Sequence, residues 1–168
     1  MAKPIIEMCG LELHEFKAAH IEPFYQDISF ETERELRVAY KVEPLDVLMS
    51  CLKEDMVYSV MRDGKPLAIT GLTDNALMWL LFGKGLRRNS LRFARSSPEL
   101  IKYYHKFANE IRCEIWDKSD MIAKWLMMLG FEQEAVLSPD AEFSFLRFVR
   151  CANVTDYVES PISRPVMH

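Results

Sequence analysis

The segment "DKSDMIAKWLMMLGFEQEAVL", residues 117–137, decides the fold that this sequence predicts. A run of large apolar side chains precedes Gly130, which favours a buried helix. Gly130 stands where a glycine closes a helix, because glycine adopts positive φ without a steric penalty. Phe131 can then fold back onto the apolar face before polar residues return. The segment predicts a helix over Asp120–Leu129 with Ser119 as its N-cap, followed by a strand over 131–136.

Upstream, three short β-like runs predict an antiparallel meander. Asp63-Gly64 separates the first two runs and is a strong hairpin signal, and Asp74-Asn75 separates the second run from the third. The third run, "ALMWLLF", is apolar at every position, so it predicts a central strand that is covered on both faces. The predicted strands cover residues 56–62, 66–72 and 76–82.

The N-terminal region is predicted to begin with a short strand over 4–9 and then to become helical. A helix over about 12–20 that Pro23 ends is predicted by the helical spacing of Leu13, Phe16, Ala19 and His20.

Two further helix starts follow this region. Ser29 or Thr32 is a suitable N-cap, because acidic residues fill the first turn after it. Pro44 fits the first turn of the next helix, whose predicted inner face consists of Leu45, Leu48 and Leu52.

The stretch after the meander contains a helix start at Ser97-Pro98, since Ser caps helices and Pro fits their first turn. A shorter helix over 89–95 precedes it, or one helix runs through with a kink at Pro98. The predicted inner face of this helix is Ile101, Tyr104 and Ala108. The remaining predicted strands cover residues 111–116 and 143–150.

Composition sets limits on the function. The chain has 168 residues, of which 49% are hydrophobic, which is enough for one domain over residues 1–150 with a folded core. No apolar run is long enough to span a membrane and the N-terminus lacks signal-peptide features, so we expect a protein that is not secreted. The cysteines and histidines have no metal-ligand spacing. Residues 151–168 form a polar tail, which we expect to pack on a partner.

This order of elements predicts an α+β fold with a mixed sheet covered by helices, and it resembles the GNAT N-acetyltransferase fold. The Gly130-Phe131 pair at the end of the last helix carries the resemblance, together with the strand Cys113–Trp116 before that helix. The resemblance implies that the strands over 76–82 and 111–116 are parallel and splay apart, with coenzyme A between them.

A narrower likeness covers roughly residues 10–150. The stretch "HEFKAAHIEPFYQDISFETERELRVAYKVEPLDVLMSCLKE", followed by "GKPLAITGL", "MWLL" and "IAKWLMMLGF", is similar to a GNAT-like family of small proteins in tailed phages. That family includes the internal virion protein A of short-tailed phages. The likeness implies a structural or interaction component of the virion interior or head–tail region, part of an oligomeric assembly with phage or host proteins. The implied location is the virion or the host cytoplasm.

Acetyl-CoA-dependent N-acetylation of a protein or small amine is the alternative function that the GNAT resemblance implies. Family members hold the coenzyme A pyrophosphate with the motif R/Q-x-x-G-x-G/A at a helix start, where backbone N–H groups favour anions. No Arg or Gln stands three positions before a glycine here, so the motif is degenerate and retention of acetyl-CoA stays open. The matching stretch is "GKGLRRNSLRFARS", and its predicted cofactor-binding residues are Gly83, Lys84, Gly85, Arg87 and Arg88.

The resemblance also implies a tyrosine on the last helix that acts as general acid for the departing thiolate. Alignment on Gly130 places Leu126 at that position and Ser119 at the position of a preceding asparagine. Leucine cannot donate a proton, so the sequence assigns no catalytic residue. Glu114 is either a general base or, more simply, a surface glutamate on its strand.

A basic run stands between residues 84 and 95 with no acidic residue in it. It is a solvated basic face, a site for coenzyme A phosphates, or a contact for an acidic partner or nucleic acid. A nucleic-acid-associated factor is the weakest of the three functional hypotheses, because the formal net charge of -4 argues against a general nucleic-acid coat. The cations of the run are Lys84, Arg87, Arg88, Arg92 and Arg95.

Overall fold

The structure is a computed structural model in which residues 2–139 and 142–152 are described. Its strands are β1 (Ile6–Met8), β2 (Leu11–Glu15), β3 (Val57–Arg62), β4 (Lys65–Leu72), β5 (Leu77–Phe82), β6 (Glu110–Trp116), β7 (Glu132–Leu137) and β8 (Phe145–Cys151). Its α-helices are α1 (Ile21–Gln26), α2 (Phe30–Arg34), α3 (Pro44–Cys51), α4 (Lys84–Arg88), α5 (Ser90–His105) and α6 (Asp120–Met128). The predicted α+β class is confirmed.

The eight strands form one sheet in the order β1-β2-β3-β4-β5-β6-β8-β7. Pairing is antiparallel from β1 to β4, and β8 is antiparallel to both β6 and β7. β5 and β6 are parallel and pair at Leu77–Arg112 and Met78–Cys113. A parallel pair requires a crossover connection, which α4 and α5 provide. The mixed sheet with flanking helices is therefore confirmed, and so are the three strands predicted for the meander.

The N-terminal hairpin corrects the helix predicted over 12–20. β2 begins at Leu11 and pairs with β3, with Leu13 opposite Val60. Leu11 and Leu13 are buried while His14 is only partly buried, which is the period of two expected for a strand. The helical spacing was misleading because Leu13 fits both periods, and the pairing with β3 cannot be read from local sequence.

The predicted helix end at Pro23 is also wrong. A short 3₁₀ turn over Ala18–His20 leads into α1, and Pro23 lies in the first turn of α1. Proline is tolerated there because the N–H that it lacks would have no acceptor within the helix. The next helix start is confirmed: the hydroxyl oxygen of Ser29 accepts a hydrogen bond from Thr32 N–H at 3.1 Å and caps α2.

The start of α3 at Pro44 is confirmed, but its predicted inner face is wrong. Leu48 and Cys51 are buried, whereas Leu45 and Leu52 are 40% and 41% exposed. The buried side of α3 consists of Pro44, Leu48 and Cys51, so Leu45 and Leu52 lie at the exposed margin of this face.

α5 is one continuous helix with Pro98 in its interior, which decides between the two predicted arrangements. The predicted N-cap role of Ser97 is wrong. Ser97 is fully buried, and its hydroxyl oxygen accepts a hydrogen bond from Trp125 Nε1–H at 2.9 Å. Of the predicted inner face, two residues are buried and the third lies beyond the helix end; these are Ile101, Tyr104 and Ala108, in that order.

Two compact units divide the described residues. The first unit comprises the described residues up to 71 together with residues 79–96. One apolar cluster of its core is contributed by α1, α3, β3, β4, β5 and the segments beside α2, and burial of this cluster fixes these helices on the sheet. The members are Ile21, Phe24, Ile28, Leu36, Leu48, Cys51, Val57, Ile69 and Leu81.

The second unit comprises residues 72–78 and the described residues from 97 onward. It contains the C-terminal part of α5, β6, α6, β7 and β8. Its large side chains without appreciable exposure include Leu100, Ile101, Tyr104, Ile111, Leu126 and Phe148.

The end of α6 has the hydrogen bonds of a Schellman motif. Phe131 N–H donates to Leu126 O at 3.0 Å, and Gly130 N–H donates to Met127 O at 3.0 Å. Gly130 has a φ of 87°, and Phe131 is 3% exposed. The predicted closure of this helix by Gly130 and Phe131 is confirmed.

From residue 153 onward the predicted tail lies outside the described residues, so its packing on a partner stays a prediction. The single domain predicted over 1–150 also stays a prediction. Within the part of the chain that is described, no helix is long and apolar enough to cross a membrane.

Candidate functional site

The five residues predicted to bind coenzyme A lie together in one turn directly after β5. Gly83 is the N-cap of α4, with an extended backbone at φ -94° and ψ 162°. Gly83 and Gly85 are buried, whereas Lys84, Arg87 and Arg88 are exposed. The turn therefore has the layout of an anion site, with backbone N–H groups at a helix start and cations around them.

The backbone N–H groups of this turn are already hydrogen-bonded within the chain. Gly83 N–H donates to Leu67 O at 2.9 Å. Lys84 N–H donates to Asp27 O at 2.7 Å, and Gly85 N–H donates to Asp27 Oδ2 at 2.8 Å. Asp27 is the C-cap residue of α1. Its carboxylate occupies the place at the start of α4 that an anionic ligand would need.

Residues 27–32, here named the closing segment, also bind the backbone at the end of β5. Ser29 N–H donates to Phe82 O at 2.9 Å, and Phe82 N–H donates to Thr32 Oγ1 at 3.1 Å. An isolated antiparallel bridge joins the closing segment to the turn. Because both backbone groups of Phe82 are satisfied in this way, the end of β5 offers them to no other partner.

The two glycines of the turn make room for other parts of the chain. Gly83 has negative φ, and Gly85 is not among the glycines with positive φ. A Cβ at Gly83 would lie 2.8 Å from Leu67 O, and one at Gly85 would lie 2.7 Å from Leu67 Cδ2 and 3.1 Å from Asp27 Oδ2. These separations are shorter than a normal contact of a carbon atom. The lack of a side chain therefore lets Leu67 and Asp27 approach the turn.

The exposed arginines of the turn face acidic groups of the closing segment. Arg87 Nη1 lies 3.5 Å from Glu31 Oε1, and Arg88 Nη2 lies 3.9 Å from Asp27 Oδ1. The two arginine side chains are 74% and 72% exposed, so each ion pair contributes little to stability. The pairs do reduce the positive potential that these arginines present to a phosphate.

These contacts test whether the turn fits the pyrophosphate of coenzyme A. A phosphate at the start of α4 needs backbone N–H groups that point into open space. Here the N–H groups of Gly83, Lys84 and Gly85 point at oxygens of Leu67 and Asp27. A phosphate would also be repelled by the Asp27 carboxylate. In this arrangement the turn does not fit the cofactor that the resemblance implies.

The position that aligns with the family tyrosine is closed as well. Leu126 has no exposed surface, and its carbonyl oxygen closes the helix by accepting Phe131 N–H. Ser119 occupies the N-cap position of α6, but its side chain makes no capping hydrogen bond. α6 therefore presents no proton donor at the position aligned with the tyrosine, and the Ser119 hydroxyl at the other aligned position makes no capping hydrogen bond.

Glu114, the general-base candidate on β6, is paired with Arg147 on β8. Arg147 Nη2 and Nε lie 2.6 Å and 3.0 Å from Glu114 Oε1. The two residues stand directly opposite each other in the β6–β8 ladder, so strand register alone accounts for the pair. These contacts agree with the simpler interpretation of Glu114 as a surface glutamate.

A cavity of about 490 Å³ lies in the second unit, beside the first residues of β5 and β6. Its walls come from Asp74–Ala76 and His105–Asn109. His105 Nδ1–H donates to Ala108 O at 2.9 Å, which fixes the ring of that histidine. Among the described residues, no group of three or more His, Cys, Asp or Glu is arranged to hold a metal ion.

Sequence reasoning did not single out Asp27. Asp27 and Gly85 are 58 residues apart, so no local pattern connects them. The stretch "QDISFET" did contain a usable signal, the N-cap at Ser29, which places an acidic residue just before a helix start. The sequence located the turn correctly and could not show what fills it.

Comparison with known proteins identifies the fold. No protein-family model and no curated protein matches the chain. A GNAT-family acetyltransferase from Streptococcus agalactiae matches with a TM-score of 0.70 and 10% identity, over 88% of this chain and 98% of its own. A GNAT-family acetyltransferase from Bacillus anthracis matches with a TM-score of 0.67 and 9% identity, over 87% and 97%.

A third solved structure contains a ligand. It is RimL, a ribosomal alpha-N-protein acetyltransferase in complex with coenzyme A, with a TM-score of 0.67 and 8% identity over 89% of this chain and 98% of RimL. Identities of this size show the fold and carry no statement about activity. The chain has the GNAT acetyltransferase fold.

Proposed function

We propose that this GNAT-fold chain is a structural or interaction component of a phage particle and does not catalyse acetyl-CoA-dependent transfer. One observation carries the proposal: the Asp27 carboxylate accepts the Gly85 N–H at 2.8 Å, in the place where the fold implies a cofactor phosphate. An enzyme of this type needs that place open, because the acetyl group that it transfers is carried by the cofactor.

The proposed role also agrees with the second departure from the family pattern. The aligned general-acid position is Leu126, which is buried and has no transferable proton. The phage-like sequence pattern over residues 10–150 supports a role in the virion interior or head–tail region. The partners would then be phage or host proteins in an oligomeric assembly, in the virion or the host cytoplasm.

Exposed apolar side chains on α6 support a role in protein–protein contact. Met121, Met127 and Met128 are 74%, 55% and 79% exposed. Methionine is flexible and polarisable, and it is common on surfaces that bind other proteins.

The test is mass spectrometry of phage particles purified from cells that encode the chain. We expect the protein in intact particles, and its removal from the genome should change particle assembly or infectivity. Absence of the protein from purified particles would overturn the proposal.

Acetyl-CoA-dependent N-acetylation is the second candidate. It is favoured by the GNAT fold that this chain shares with RimL, whose structure holds coenzyme A, and by the exposed cations Lys84, Arg87 and Arg88. Calorimetry with acetyl-CoA separates the two candidates, since an enzyme must bind its cofactor. No heat of binding at millimolar acetyl-CoA would eliminate this candidate.

A further inference from the structure

We propose that the Asp27 carboxylate is the resident anion of the α4 turn, so that the closing segment permanently fills the place of a ligand phosphate and fastens α1 and α2 to the end of β5. The inference deepens the proposed function, because it concerns the same turn. It does not depend on whether the chain is packaged in a particle.

The first support is the chemistry of the contact. A helix start carries partial positive charge on its free N–H groups, and an ionised oxygen is the strongest acceptor for them. Asp27 supplies two acceptors to consecutive residues: its carbonyl oxygen binds Lys84 N–H, and its Oδ2 binds Gly85 N–H. A phosphate group would satisfy the same donors in the same way.

The second support is that Asp27 does not act alone. Ser29 and Thr32 bind both backbone groups of Phe82, and Glu31 faces Arg87. Contacts from four residues of a six-residue segment thus converge on the end of β5 and on α4. A convergence of this extent is expected for a fitted surface and not for a single accidental hydrogen bond.

The third support is the steric environment of the glycines. A side chain at Gly83 or Gly85 would collide with Leu67, and one at Gly85 would also press on Asp27 Oδ2. Neither position needs glycine for its φ. The two glycines are therefore explained by the close approach of the chain itself, and no ligand is needed to account for them.

Nuclear magnetic resonance of the full chain tests the inference at Gly85. Loss of a hydrogen bond to a charged acceptor should speed exchange of the Gly85 amide by roughly ten- to a hundredfold in Asp27→Ala. Asp55→Ala is the matched control, because Asp55 is exposed and lies outside the closing segment. The Phe131 amide, which donates to Leu126 O at 3.0 Å at the end of α6, should exchange at the same rate in every variant.

Coenzyme A is the probe in the second part of this experiment. In the wild-type protein the Gly85 resonance should not move when coenzyme A is added to millimolar concentration, because its N–H is already occupied. Asp27→Asn keeps an oxygen acceptor without the charge and should give an exchange rate between those of the wild type and Asp27→Ala. This variant also supplies the measurement if Asp27→Ala does not fold.

Two results would overturn the inference. One is an exchange rate at Gly85 that is the same in the wild type, Asp27→Asn and Asp27→Ala. The other is a Gly85 resonance that moves with coenzyme A in the wild type. Absence of the protein from phage particles would refute the proposed function and leave this inference intact, so the two can fail separately.

Discussion

Glycines stand at two helix ends of this molecule, the start of α4 and the end of α6, and they meet different physical demands. Gly130 has a φ of 87° and closes α6 in a conformation that other residues adopt only with strain. Gly83 has an ordinary φ and needs only to lack a side chain, because Leu67 and Asp27 press against the turn. Gly130 meets a demand on backbone conformation, whereas Gly83 meets a demand for space beside the backbone.

The difference separates two ways of holding a helix end. The end of α6 is held by packing and by its own backbone, and the hydrogen bonds of Phe131 and Gly130 satisfy the helix. The start of α4 is held by a distant segment, because the N–H groups of Lys84 and Gly85 are bound to Asp27. The first end depends on local residues, and the second depends on a contact across the chain.

The largest expected effect comes from placing a tyrosine at Leu126, near the end of α6. Leu126→Tyr should lower the free energy of unfolding by about 3 kcal/mol, because a larger side chain and a hydroxyl enter a site without free volume. Chemical denaturation measures this loss. Met127→Tyr is the matched control, since Met127 is 55% exposed and should tolerate the ring. A Leu126→Tyr protein of wild-type stability that transfers acetyl groups would refute this view of α6.

A smaller loss of stability is expected for a substitution at the start of α4. Gly83→Ala should cost about 2 kcal/mol, because the new Cβ would lie 2.8 Å from the backbone oxygen of Leu67, which moves only if β4 moves. Lys84→Ala, at the exposed neighbouring position, should change stability by less than about 0.5 kcal/mol. Thermal unfolding of both variants with and without coenzyme A separates a steric cost from a ligand effect. Stabilisation of the wild type by coenzyme A would contradict the steric account.

Gly130→Ala should have a smaller effect again, about 1 kcal/mol, since its cost is the backbone strain of a positive φ. The nearest atom to an added Cβ is Arg150 Nε at 3.5 Å, an ordinary contact. For a chain of this size the melting temperature should fall by about 2–4 °C. Gly130→Asn should recover part of the loss, because asparagine tolerates this region better than alanine does. Equal stability of the two variants would argue against strain as the cause.

The smallest expected effect concerns His20, at the start of α1, the helix whose C-cap is Asp27. His20 is the N-cap of α1, its Nδ1 accepts Lys17 N–H at 3.2 Å, and Ser59 Oγ lies 2.8 Å away. Burial lowers the pKa of His20 below its usual value, and the nearby charges of His14 and Lys17 lower it further.

Because the lowered pKa of His20 disfavours the proton in the folded state, the unfolded chain binds a proton first as pH falls. The contribution of His20 to stability is therefore complete above about pH 6.5 and declines below it, down to the lowered pKa of the folded state. Unfolding curves at pH 7.5 and at lower pH should show this decline in the wild type. His20→Gln should show a weaker dependence over the same interval, and an identical dependence would exclude His20 as the source.

Much of the fold could be predicted from sequence because its patterns are local. Asp63-Gly64, Gly130-Phe131 and the apolar run of β5 each identify an element through neighbouring residues. Two predictions were wrong at positions whose structure depends on residues far away in the sequence. Leu13 fits a helix or a strand, and only its pairing with Val60 on β3 selects the strand. Ser97 looks like a helix cap, and only the Trp125 indole shows that it is a buried acceptor.

The sequence predicts where the Gly-Lys-Gly turn lies, but it does not predict whether the backbone N–H groups of the turn are free to bind a ligand. The Gly-Lys-Gly sequence and two arginines locate the turn at the start of α4, as the structure shows. Asp27 decides whether those N–H groups are open to a ligand. It is the C-cap residue of α1 and lies outside the motif, so the motif cannot reveal it. A glycine motif specifies that something approaches the backbone closely, and it does not specify what approaches.

The 58-residue separation between Asp27 and Gly85 also has a kinetic meaning. A contact between residues so distant in sequence closes a long loop, and such contacts form after local structure because of the entropy of closure. A contact that is absent from the transition state affects the rate of unfolding much more than the rate of folding. The Asp27 contact should therefore set how long the native turn persists once it has formed, and it should have little influence on the rate of folding.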